Sequence, residues 1–226
     1  MASNETKPGG VGCFAKGCLI TIFAGFTLLV LFVSGAWYLY YKAVERFTSP
    51  QPVQIAIDPV TDAGYKGAEE MLNRLRVAAF DGKRETIEFT AADLNALITR
   101  HPSFANPRRQ VRISIAQSMM TVDMSVPLDR SRLPHLNGRW FNGIACFSFE
   151  YIYGQFSMTP KALVANGRPV PQMIYSENFV SSFNRSFTRS FMNSIARNRD
   201  GAALWKNIRS ITVRDDKLVV VTEPAT

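Results

Sequence analysis

The sequence predicts an α+β fold: a single N-terminal transmembrane helix followed by one antiparallel curved-sheet domain with packed helices. Three observations carry that reading. An uncharged apolar run lies near the start, apolar residues alternate along several later stretches, and in others they recur every three or four positions. The 226 residues suit one globular domain with appendages. With 46% hydrophobic and 19% charged residues there is material for a core and too little charge for a disordered polymer.

The expected organisation is a tail over 1–17, a transmembrane helix over 18–41, a Pro-containing linker over 42–59 and an extracytoplasmic α+β domain over 60–226. Gly17 to Tyr41 carries no charge. At about 1.5 Å per residue, Leu19 to Tyr41 extends roughly 34 Å as a helix, enough for a ~30 Å hydrocarbon core. Trp37, Tyr38, Tyr40 and Tyr41 gather at its C-terminal end as an interfacial belt, and Lys42 follows to snorkel. Ser34-Gly35-Ala36 offers a cleavage point for a signal peptide, but the apolar run exceeds the usual ~7–15 residues, so an uncleaved signal anchor is expected. Lys7 and Lys16 on one flank balance Lys42 and Arg46 on the other, leaving charge neutral on orientation. A short tail before the span and a large domain after it place the tail in the cytoplasm and the domain outside. Gly10 to Ala15 matches GxGxxA, yet it has no preceding strand and abuts the span, so no dinucleotide loop is read there.

Pro50, Pro52 and Pro59 make the linker extended and stiff. Tyr65, Ala68, Leu72, Leu75 and Ala79 recur at helical spacing, giving a helix over about 61–80 that Asp81-Gly82 ends. Glu85 to Phe89 reads as a strand. Thr90 is then an N-cap with Asp93 at N3, and the helix it opens buries Leu94, Leu97 and Ile98 until His101-Pro102. Val111 to Ala116 and Met120 to Val126 form a hairpin. In the long strand that follows, Ala145, Phe147, Phe149, Tyr151 and Tyr153 share one face, and Cys146, Ser148 and Glu150 the other. Phe156 to Val164 is the next strand, and Asn166-Gly167 a turn. From Pro171 to Ala196 the period becomes four, through Tyr175, Phe179, Phe183, Phe187 and Phe191, with Arg185 and Arg189 opposite the phenylalanines. We expect that phenylalanine stripe to be core first, and a ligand or membrane contact with the two arginines if it is open. A short helix over about 202–207 and a hairpin of Ile208–Val213 with Lys217–Val221 complete the chain.

Chemical signatures are few. His101 and His135 are the only histidines, Cys146 is the only cysteine after the span, and no HExxH, CxxC, GxSxG or phosphate-loop pattern occurs. No catalytic residue, metal ligand or cofactor site is therefore assigned. Carboxylates such as Asp123, Asp129 and Glu150 could still meet in space as a hydrolase requires. Between Lys161 and Arg214 nine basic residues face two acidic ones, a net of +7. Beside a membrane span, that balance fits anionic lipid headgroups or envelope polymers better than nucleic acid.

The run Ile87-Glu88-Phe89-Thr90-Ala91-Ala92-Asp93-Leu94-Asn95-Ala96-Leu97-Ile98, continued by alternating strands to Val126-Pro127-Leu128, resembles the YpmS-like membrane-anchored bacterial proteins. The resemblance implies an N-terminal span before an extracytoplasmic domain that opens with a strand and a threonine-capped helix, and a kinship with elongated lipid-binding folds. Thr90, Asp93 and Asn95 are its structural motif, with Asn95 tying the helix to a neighbour. Two functional classes stay open. One is a non-enzymatic, membrane-anchored envelope module binding a lipid, an envelope polymer or a protein partner, and the other is an envelope hydrolase using carboxylates with no sequence signature.

Overall fold

The computed structural model describes residues 13–102, 110–129, 134–196 and 199–224. The tail through residue 12, with most of the GxGxxA match, and Arg197 lie outside them. The chain forms two compact units, Met1–Arg46 and Phe47–Thr226.

The described residues of the first unit lie in helix α1, Cys13–Phe47, which continues past the expected end at Tyr41. It contains one segment, Thr27–Phe47, long and apolar enough to cross a membrane. Lys42 lies 5.8 Å from the Tyr38 ring centroid and 3.5 Å from Glu45, so the charge at this end of the apolar run is locally satisfied.

The second unit is mixed helix and sheet, with a single antiparallel sheet. Its elements are α2 (Asp62–Asp81), β1 (Glu85–Thr90), α3 (Ala91–Arg100), β2 (Val111–Ala116), β3 (Met119–Pro127), β4 (Trp140–Ile152), β5 (Gln155–Ala165), β6 (Arg168–Pro169), α4 (Glu177–Ala196), α5 (Arg199–Lys206), β7 (Ile208–Arg214) and β8 (Lys217–Thr222). Both early helices start where their caps demand. The Thr61 hydroxyl accepts from the Gly64 N–H, and Thr90 and Asp93 exchange both bonds of a capping box. Gly82, at φ 63°, ends α2 in the left-handed region.

β4 organises the sheet. One edge pairs with β3 over 140–147 and then with β7 over 150–152, while the other edge carries β5. Outside β3 lies β2; outside β7 lie β8 and then β1. The hairpin tips meet: the Ser118 N–H donates to the Asp215 carbonyl at 2.8 Å, and the Asp215 N–H donates to Ser118 Oγ at 2.9 Å. Gly143 is required where β4 crosses β5, because a Cβ there would stand 2.7 Å from the Val164 carbonyl oxygen.

The main core gathers Ala68 and Leu75 of α2, Ile87 and Phe89 of β1, Ala96 and Leu97 of α3, Tyr151, Phe156, Ile208 and Val220. On β4, Phe147 and Tyr151 are buried and Ala145 and Phe149 half-buried, as alternation predicts, but Tyr153 is 73% exposed. The strand has ended by then, and Tyr153 (φ 47°) and Gly154 (φ 84°) form the turn into β5. Asn166 and Gly167, at φ 51° and 72°, form the turn expected there.

Two expectations need refining. The helix read from Pro171 begins at Glu177, because Gln172–Tyr175 forms a separate 3₁₀ turn and Ser176 breaks from it in extended geometry. The Pro-containing segment after α1 is hydrogen-bonded to the sheet. Ser49 exchanges backbone bonds with Trp140 at 2.8 and 2.7 Å. The Val53 N–H donates to buried Ser125 Oγ (3.1 Å) and to buried Asn142 Oδ1 (3.2 Å), and the Asn142 amide donates to the Gln51 carbonyl at 2.9 Å.

Candidate functional site

The four-residue repeat Ser182-Phe183-Asn184-Arg185, Ser186-Phe187-Thr188-Arg189 gives each side of α4 its own chemistry. A step of four overshoots a ~3.6-residue turn by about 40°, so over two repeats each residue type keeps to one side. Asn184 and Thr188 point inward, onto the outer edge of β5. The Asn184 amide donates to the Met158 carbonyl (3.0 Å) and its Oδ1 accepts from the Met158 N–H (3.2 Å). One turn on, Thr188 Oγ1 accepts from the Phe156 N–H at 3.2 Å. These side chains stand in for a missing strand and satisfy an edge that would otherwise present open donors and acceptors. Asn95 does the same at the other end of the sheet, donating to the Ile113 carbonyl at 2.7 Å and accepting from the Ile113 N–H at 2.8 Å.

The phenylalanines flank that inward side. Their rings stack in series, with centroids 6.4 Å apart for Phe179–Phe183, 5.9 Å for Phe183–Phe187 and 6.1 Å for Phe187–Phe191, all within 20° of parallel. The row is anchored only at its C-terminal end, where Phe191 packs edge-on against Phe156 and Trp205, both at 4.7 Å. Phe187 still reaches Phe156 at 5.1 Å. Exposure then climbs away from the anchor, from 37% at Phe187 to 43% at Phe183 and 54% at Phe179. The expectation that the stripe is core therefore fails for three of its four rings. The drift of the period carries Phe191 fully, and Phe187 in part, round to the packed side. Met173 (82%) and Ile174 (48%) add exposed apolar surface just before the helix.

Arg185 and Arg189 occupy the other flank, and both are exposed. Arg185 reaches only Ser182 Oγ, at 3.2 Å, and Arg189 has no hydrogen bond or ion pair among the described residues. The outermost ridge, between rings and guanidinium groups, carries the small polar residues Ser182, Ser186 and Ser190. Of the other basic groups of the +7 region, Arg209 is ion-paired with Glu223, which raises its pKa, and lies over the Tyr153 ring at 5.6 Å.

The carboxylates considered for hydrolysis are engaged singly or face solvent. Asp123 pairs with Arg112 at 2.8 Å, Asp129 accepts from the Gly138 N–H at 2.6 Å, and Glu150 is exposed. Asp93 is held by the capping box, accepting from the Thr90 N–H (2.8 Å) and hydroxyl (2.6 Å). Cys146 is a half-buried free thiol. Among the described residues no cluster of His, Cys, Asp and Glu could hold a metal ion. No family model, curated protein or solved structure matches the chain.

Proposed function

We propose that this chain is a single-pass, membrane-anchored, non-enzymatic binding module of the cell envelope, its large unit outside the cytoplasm and its α4 face turned to an anionic lipid surface. The carrying observation is the exposed row of Phe179, Phe183 and Phe187, set across a serine ridge from two arginines with no acidic partner among the described residues. Solvent-facing aromatics in series mark a surface awaiting an apolar phase, and basic residues beside them favour one with negative headgroups. The apolar α1 in the same chain supports a lipid surface over a soluble partner.

The test is cosedimentation of the fragment Phe47–Thr226 with anionic and with neutral vesicles across a salt series. At about 1 kcal/mol per basic side chain near an anionic surface, replacing both arginines by Gln weakens anionic binding roughly 30-fold at low salt. Equal binding to both vesicle types, or no loss on replacement, would contradict the reading. Orientation is tested separately: a reporter active only after export, fused to Thr226, is active if the large unit lies outside.

A further inference from the structure

Beneath α2, α3 and α5, on the side of the sheet formed by β1, β7 and β8, lies a cavity of about 380 Å³. Eleven of its thirteen lining residues are apolar, among them Leu72, Leu94, Phe89, Trp205, Ile211 and Leu218. Several of these belong to or pack on the main core, yet Leu72, Leu94, Leu204 and Trp205 on the helices and Ile211 and Leu218 on the strands are only half-buried. The space opens to solvent on one side and is a cleft lined by core side chains, with room for a ligand. The volume is near the small end of the roughly 300–1,000 Å³ of ligand pockets, which suits one flexible chain and not two.

The two polar lining residues differ in role. His101 is 8% exposed and already engaged within the protein. Arg76, on α2, is exposed and forms no ion pair among the described residues, so it marks where the cavity meets solvent and leaves a positive charge at that mouth. Methylenes gain about 0.8 kcal/mol each on leaving water, and a carboxylate at the rim gains a charge-assisted partner. We infer that this cavity binds a single long-chain fatty acid, its tail among the core side chains and its carboxylate at Arg76. This goes beyond the α4 face, which concerns a lipid surface and uses none of these residues.

Trp205 lines the cavity, so it serves as the reporter. The full chain carrying Trp37→Phe and Trp140→Phe, in nanodiscs of a neutral saturated phospholipid, is titrated with a long-chain fatty acid brominated at mid-chain. The expected result is saturable quenching of Trp205, absent with a brominated short-chain acid at the same concentration. Arg76→Gln weakens the acid about fivefold and leaves the methyl ester unchanged. Leu72→Phe with Leu94→Phe, filling the cavity, abolishes quenching with the near-ultraviolet circular dichroism retained. Should that double variant not fold, the acid and ester titrations on Arg76→Gln still decide. Phe183→Ala with Arg185→Gln leaves the quenching intact, so failure of the α4 reading and of this one are told apart. Quenching that rises linearly without saturation, that persists in the folded filled variant, or that is indifferent to Arg76 would overturn the inference.

Discussion

Three asparagine side chains act as pieces of backbone. Asn95 binds both polar groups of Ile113, Asn184 both of Met158, and Asn142 joins the Val53 N–H to the Gln51 carbonyl. Each amide supplies a donor and an acceptor in the spacing a peptide would. At about 0.5–1.5 kcal/mol per bond, Asn184→Ala should cost about 1–2 kcal/mol in chemical denaturation of the full chain in micelles, whereas Asn193→Ala, on exposed surface, should change little. Tyr151 carries a pH signature. Burial raises its pKa, partly offset by a hydrogen bond with the Gly154 backbone. Unfolded tyrosine ionises near pH ~10, so above that pH the unfolded chain holds fewer protons than the folded one and stability falls as pH rises. Tyr151→Phe should flatten that alkaline loss relative to the parent chain in melts between neutral and alkaline pH.

At the scale of elements, α4 shows how a short repeat sets the surroundings of a helix. Phe191 packs its ring on Phe156 and Trp205, while the ring pairs of Phe183 among the described residues are with its neighbours in the row. Phe191→Ala should therefore cost about 3 kcal/mol and Phe183→Ala less than about 1 kcal/mol, a contrast that thermal melts of the two variants measure. The row itself was legible from sequence, as were the Thr90 cap, the Asp81-Gly82 helix end, the strands of the hairpins and the Asn166-Gly167 turn, because each rests on local periodicity or on one residue's backbone preference. Which side of α4 faces the sheet was not. Phenylalanine outranks asparagine and threonine in any hydrophobicity argument, but the partner here is an unpaired strand edge, for which amide and hydroxyl groups are the better match. Tyr153 was misplaced for a related reason: alternation continues into a turn that only a positive φ reveals.

For the whole molecule, an apolar N-terminal helix and a mixed helix-and-sheet remainder were legible in advance, since length, charge and apolar density decide that. The joining of β3 and β7 along a single edge of β4, and the cavity under the helices, depend on pairings between residues far apart in the chain and left no local signal. The central claim is that α4 meets lipid through its phenylalanine row. It is tested most directly in the full chain reconstituted in anionic vesicles, with its three tryptophans changed to Phe and one Trp introduced at position 183 or, on the other side of α4, at 181. With lipids brominated near the headgroup, the account predicts strong quenching for Phe183→Trp and little for Ser181→Trp; equal quenching at both positions, or none at either, would contradict it.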